Sequence, residues 1–195
     1  QKNIERVQQV RASIADPHFP IMIDCYMSLT VPYTIELARR IDREVPNGVK
    51  WIEEHLPPDD YDGYAEVKKK VGMYNLFTCG EHEYTRYGFR TLLEKKCCDI
   101  LQPDITWCGG ITEARRIYAL ASAYDIPCIP HGSSVYSYHL QFACAQSPLA
   151  ELLIMSPNAD KIVPYFGNLF KDEPLPVDGY IDLDPTKPGF GVTLN

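Results

Sequence analysis

Five short apolar runs in this chain each end in a side chain that can hold a cation or move a proton. Asp24 follows Phe19-Pro-Ile-Met-Ile23, Glu53 follows Val49-Lys-Trp-Ile52, and Glu81 follows Leu76-Phe-Thr-Cys-Gly80. Asp104 follows Ile100-Leu-Gln-Pro103, and His131 follows Ile126-Pro-Cys-Ile-Pro130. Taken singly, an acid just after a strand is most often a loop residue or a helix N-cap. Three acids in successive repeats suggest more, because carboxylate oxygens are what Mg²⁺ prefers, with water or substrate oxygens completing its octahedron. His131, one repeat after Asp104, can have its imidazole oriented and made more basic by that neighbouring acid, as a general base requires.

A cation beside a His-Asp base suits removal of a proton α to a carboxylate, and loss of a β-hydroxyl would then complete a dehydration. Metal-assisted hydrolysis uses similar ligands and stays open on the residues alone. Two ambiguities are local. Glu53 and Glu54 are neighbours, strand alternation lets only one face the site, and parity does not choose between them. His82, next to Glu81, can face the same cavity or point away. His18, His55 and His139 lack comparable partners and read as structural or surface residues.

The five runs recur every 23 to 29 residues. That is the length of one strand, one helix and two loops, so the chain reads as a β/α repeat whose strand ends converge. A first amphipathic helix covers Gln1 to Ile14. Strands are then expected at Phe19 to Cys25, Val49 to Glu53, Tyr74 to Cys79, Asp99 to Gln102, Pro127 to Pro130 and Leu152 to Met155. Helices fall between them at Pro32 to Val45, Tyr61 to Lys70, Tyr84 to Lys95, Ile111 to Tyr124 and Val135 to Ala145. No glycine-rich turn follows the first strand, which disfavours a doubly wound nucleotide-binding sheet. The expected fold is therefore α/β, a (β/α) barrel incomplete in this chain, with about six of its eight strands. Residues 1–156 would form the partial barrel. Residues 157–195, rich in Pro, Gly and Asp, would be an irregular tail with short strands.

A net charge of −7 disfavours nucleic acid and anionic membrane as partners, because both attract basic surfaces. The seven cysteines are odd in number and contain no CxxC pair, so they read as small buried residues of a reducing, cytoplasmic compartment rather than as a disulfide framework or zinc site.

The chain resembles the enolase superfamily in its mandelate-racemase-like, acid-sugar dehydratase branch. The resemblance rests on Met22-Ile-Asp-Cys-Tyr-Met-Ser28, Lys50-Trp-Ile-Glu-Glu-His-Leu-Pro-Pro58, Gly80-Glu-His82, Gln102-Pro-Asp-Ile-Thr-Trp-Cys-Gly-Gly110, Pro130-His-Gly-Ser-Ser-Val-Tyr-Ser137 and Lys187-Pro-Gly-Phe-Gly-Val-Thr-Leu-Asn195. It implies that Asp24, Glu53 and Glu81 bind Mg²⁺, that His131 takes the C2 proton of a sugar acid, and that Asp104 is its dyad partner. It further implies that His82 is a catalytic, substrate-contacting residue, that Ser133 binds substrate, that Glu151 contacts the substrate or the developing enediolate, and that the product is a 2-keto-3-deoxy sugar acid. Members carry an N-terminal capping domain and two earlier barrel strands, neither of which is in this sequence. The 157–195 tail is thus expected to pack on a missing capping domain. The loops of that domain would discriminate among sugar acids such as fuconate or galactonate. The branch also implies a small-molecule substrate and a homo-oligomer. Without its N-terminal part the polypeptide could instead be a non-catalytic assembly subunit, since an unclosed sheet leaves unpaired strand edges.

Overall fold

Helix boundaries in this chain follow local chemistry closely. The computed structural model describes residues 2–195. After α1 (Lys2–Ser13), α2 (Val31–Glu44) starts with a proline in its first turn, where the missing N–H costs no hydrogen bond. Asp60 caps α3 (Tyr61–Val71) by accepting the Gly63 N–H at 2.9 Å. Helices α4 (Thr85–Glu94), α5 (Gly110–Ser122) and α6 (Val135–Ala143) complete the set. Their buried stripes have helical spacing: Tyr64, Val67 and Val71 on α3, Phe89, Leu92 and Leu93 on α4, and Ala114, Ile117, Tyr118 and Ala121 on α5. The helices expected from sequence land within a residue or two for α2 to α6, while Gln1, expected in the first helix, lies outside the described residues.

Four strands alternate with these helices: β1 (Ile23–Asp24), β2 (Trp51–Glu53), β3 (Leu76–Cys79) and β4 (Ile100–Leu101). They form one parallel sheet in the order β1-β2-β3-β4, with Asp24 level with Glu53 and Glu53 level with Thr78. Parallel neighbours joined by helices are what a (β/α) barrel segment requires, and the sheet here is open. Alternation along β2 splits the interior in two. Ile52 joins Phe77, Leu101, Val67, Phe89 and Ile117 in the main core between sheet and helices, whereas Trp51 packs with Ile100 and Ile129 on the other face. Each of the fully buried side chains in the main core contributes about 1.5–3 kcal/mol by leaving water, and Phe77→Ala would cost about 3–5 kcal/mol.

Two of the six expected strands do not form. Around Pro127 to Pro130 the segment still bonds to the β4 chain, Leu101 N–H to Pro127, Ile129 N–H to Leu101 and His131 N–H to Pro103. The pairing nevertheless amounts to one bridge, Leu101 with Cys128, because Pro127 and Pro103 lack the N–H that would extend the ladder on either side. Leu152 to Met155 has no strand partner, and Ile154 and Met155 are about half exposed. The tail is irregular with two short antiparallel strands, β5 (Phe170–Lys171) and β6 (Thr193–Leu194), as expected. It is held to α6 by edge-on ring contacts of Tyr136 with Phe166, Phe170 and Phe190. All seven cysteines are free thiols, five of them buried. Among the described residues no helix is long and apolar enough to cross a membrane.

Candidate active site

The reactive side chains meet at the carboxyl ends of the strands, where parallel sheets expose their loops. Asp104, three residues past β4, is the most firmly held of them. Its Oδ1 accepts from the Thr106 N–H at 2.7 Å, the Thr106 hydroxyl at 2.6 Å, the Trp107 N–H at 3.0 Å and the Ser133 hydroxyl at 2.8 Å, and its Oδ2 lies 2.8 Å from His131 Nδ1. Burial by itself would raise its pKa, but the hydrogen bonds from His131, Thr106 and Ser133 outweigh that and bring it down to about 2. Burial likewise opposes charge on His131, yet the Asp104 bond and the charges of Glu151, Glu81 and Asp104 raise it to about 9. Ser133 is buried and spends its hydroxyl on Asp104, so it stands behind the dyad and not at a substrate-facing surface.

The other nitrogen of His131, Nε2, lies 3.3 Å from Glu81 Oε2. Glu81 Oε1 in turn lies 3.2 Å from His82 Nδ1, so this one carboxylate stands between two imidazoles. Glu53 shares a strand face with Trp51, whose indole N–H donates to its Oε2 at 3.1 Å. Both acids are pushed up to about 7. For Glu53 the cause is burial first, with Glu151 and Asp24 adding repulsion; for Glu81 it is burial, partly offset by His131, with Glu54, Glu53 and Asp24 adding repulsion. Asp24, at the exposed end of β1, accepts the Tyr26 N–H at 2.8 Å, and its charge is felt by both.

Among the described residues no three acidic, His or Cys side chains stand close enough to make a finished metal shell. The donor chemistry fits a hard divalent cation that keeps open positions. Hard oxygen donors from three strand ends repel one another in a half-buried place, and a cation between them would relieve what burial and repulsion impose.

Glu54 resolves the neighbour ambiguity in an unexpected way. Its backbone has φ of +40°, which turns the side chain out of strand alternation, and it is almost wholly buried. One carboxylate oxygen accepts the Gly80 N–H at 2.8 Å and the other lies 3.4 Å from His82 Nδ1. His82 sits edge-on between Tyr26 and Trp107, each at 5.9 Å. Glu151 reaches the site without a strand to carry it: its Oε2 accepts the Gly132 N–H at 2.6 Å. His55 is fully buried against Tyr64 and Phe77, and His139 bonds the Phe190 carbonyl, so both are structural, as expected.

Sequence reasoning missed Tyr165. Its hydroxyl lies beside Gly132, 3.7 Å from where a Cβ there would stand, which brings the tail to the site, and burial with the charges of Asp104, Glu151 and Glu81 raises its pKa. No periodicity marks that residue. Two cavities of about 640 and 620 Å³ lie away from these residues, one between α6 and the tail, the other among the C-terminal ends of α3 and α4 and the segment after α5.

Comparison with known proteins places this geometry. A family model described as enolase C-terminal domain-like matches residues 1–195. The crystal structure of L-rhamnonate dehydratase from Gibberella zeae is 48% identical with a TM-score of 0.90, over 100% of this chain and 48% of that one. A second structure of that enzyme, complexed with Mg, has the same identity and TM-score and covers 100% of this chain and 47% of that one. L-Talarate dehydratase from Polaromonas sp. JS666, complexed with Mg and L-glucarate, is 27% identical with a TM-score of 0.84, over 100% of this chain and 49% of that one. The chain thus spans about half the length of the solved structures it matches.

Proposed function

The chain belongs to the enolase C-terminal domain-like family, and on that premise we propose that its site removes the C2 proton of a sugar acid and releases the C3 hydroxyl. The substrate we assign is L-rhamnonate and the product 2-keto-3-deoxy-L-rhamnonate, supported by 48% identity to the Gibberella zeae dehydratase. The wider class, sugar-acid dehydration, is supported also by the talarate dehydratase. Fuconate or galactonate would be handled by the same groups.

The observation that carries this reading is the dyad's geometry: Asp104 holds His131 Nδ1 at 2.8 Å while Nε2 faces Glu81 at 3.3 Å, so a base and an acid cluster share one place. Asp104, kept ionised by its donors, fixes the His131 tautomer and orientation and favours proton uptake at Nε2. That proton is then available to the departing C3 hydroxyl. Ser133 and Thr106 hold Asp104 in position, and Glu151 and His82 are the groups we assign to substrate hydroxyls. Asp24, Glu53 and Glu81 are the groups that would hold Mg²⁺, which would supply the positive charge that receives the substrate carboxylate. Free thiols and the lack, among the described residues, of a membrane-spanning helix fit a cytoplasmic enzyme.

A second reading is favoured by one observation. β1 has a partner on one side only and the sheet does not close, so these 195 residues could require further polypeptide, or a homo-oligomeric neighbour, to turn over substrate. Proton NMR of L-rhamnonate in D₂O with this chain and Mg²⁺, with a chelator control, tests both. Metal-dependent C2 exchange and keto-acid formation are the expected result. Neither signal at saturating Mg²⁺ would leave the second reading.

A further inference from the structure

The Glu54 carboxylate has no role in the reading above. It is 1% exposed and, among the described residues, pairs with no Lys or Arg. A buried carboxylate is costly unless its oxygens are used, and both are used here. Oε1 takes the Gly80 N–H at 2.8 Å, and Oε2 stands 3.4 Å from His82 Nδ1 along the direction of its N–H. Glu81 Oε1 is nearer, at 3.2 Å, but makes no aligned hydrogen bond. The other ring nitrogen, Nε2, has no hydrogen-bond partner among the described residues, and the ring makes edge-on contacts with Tyr26 and Trp107.

We propose that Glu54 is a positioning residue: it holds His82 in the Nδ1–H tautomer, so that Nε2 presents a lone pair to the cleft and accepts a hydrogen bond from a substrate hydroxyl. The tautomer of a histidine is set by the bond that its other nitrogen makes. A carboxylate has only acceptors, so it forces Nδ1 to carry the proton. The strained φ of +40° at Glu54 is what brings the carboxylate across from β2 to the Gly80–His82 turn. His82 would then differ from a cationic or Nε2–H histidine in specificity: it selects a donor, such as an alcohol, at that wall, and disfavours a carbonyl or carboxylate oxygen there. The hydroxyl as ligand rests on the sugar-acid reading, whereas the tautomer does not.

The test is the ¹⁵N spectrum of the His82 ring in the ¹⁵N-labelled 195-residue chain at about pH 8, above the ordinary histidine range. His82→Asn identifies the signals by their loss. The wild type is expected to show a protonated Nδ1 and a bare Nε2. Glu54→Gln offers one oxygen and one NH₂; with the oxygen kept by the Gly80 N–H, the NH₂ faces Nδ1, so the ring is expected to invert to Nε2–H. A wild-type ring in the Nε2–H form, or an unchanged tautomer in Glu54→Gln, overturns the proposal. Should that variant not fold, the wild-type spectrum decides. No turnover is read, so failure of the sugar-acid reading would leave this result standing, and would show separately in the D₂O exchange experiment.

Discussion

Two histidine–carboxylate pairs flank the same cleft, and they are built differently. In the His131–Asp104 pair the acid takes four hydrogen bonds from Thr106, Trp107 and Ser133 in addition to the imidazole at 2.8 Å. In the His82–Glu54 pair the acid is more deeply buried and has one backbone donor, Gly80, with the imidazole at 3.4 Å. The pKa directions separate accordingly. Asp104 is brought down to about 2 although burial opposes this, whereas burial prevails at Glu54 and raises it. The number of donors, more than the identity of the pair, sets how far burial is offset at each acid. Glu81 stands between the two and touches both rings.

If the first pair moves the proton and the second only orients, substitution should part them. His131→Asn is expected to lower C2 exchange by about 10²–10⁴-fold, the usual worth of a general base, with Mg²⁺ affinity by calorimetry nearly intact. Exchange kept by His131→Asn and lost in His82→Asn would reverse the assignment. Glu81→Gln should weaken Mg²⁺ binding about tenfold or more; an unchanged calorimetric affinity would remove Glu81 from the ligand set.

Asp104→Asn probes the first pair in the metal-free protein. His131 binds its proton more tightly when folded, at about 9 against an ordinary 6.5. Its contribution to stability is therefore full below pH 6.5 and lost as pH rises toward about 9. The window of Asp104, between 3.8 and about 2, does not overlap. Urea midpoints of the wild type should fall across the upper window, and Asp104→Asn should flatten that slope. Ser133→Ala gives the smallest effect, because three donors to Asp104 Oδ1 remain. His131 should titrate slightly lower by NMR and exchange should fall less than tenfold. A loss as large as that of Asp104→Asn would mean that Ser133 does more than support the acid.

The sheet-and-helix part was legible because each strand end lies a fixed distance from the next, and short-range patterns of burial and capping set the helices. The structure adds that Asp60, in the loop before α3, caps that helix through the Gly63 N–H. Glu54 could not be placed, since alternation fails at a residue with positive φ. The expected strand at Leu152 to Met155 was misread because an apolar run needs a ladder partner as well as composition. Glu151 is reached only through the family resemblance, while its support, the Gly132 N–H, is nineteen residues away in sequence. Tyr165 and the ring contacts of Tyr136 with Phe190 join residues far apart in the chain, and no local pattern encodes them.

Those tail contacts bear on the order of events when the protein is heated. Residues 157–195 contribute two short strands and a handful of rings, whereas the helices and sheet hold the main core. Within that tail, Glu173 receives the Ser134 hydroxyl and the Tyr165 N–H, tying it to the loop that carries His131. Segments with few buried contacts open first. The His131 loop should therefore lose its support, and amide protons of Gly132 to Ser134 should exchange, at temperatures where the helical signal is still whole: the site would come apart before the fold melts.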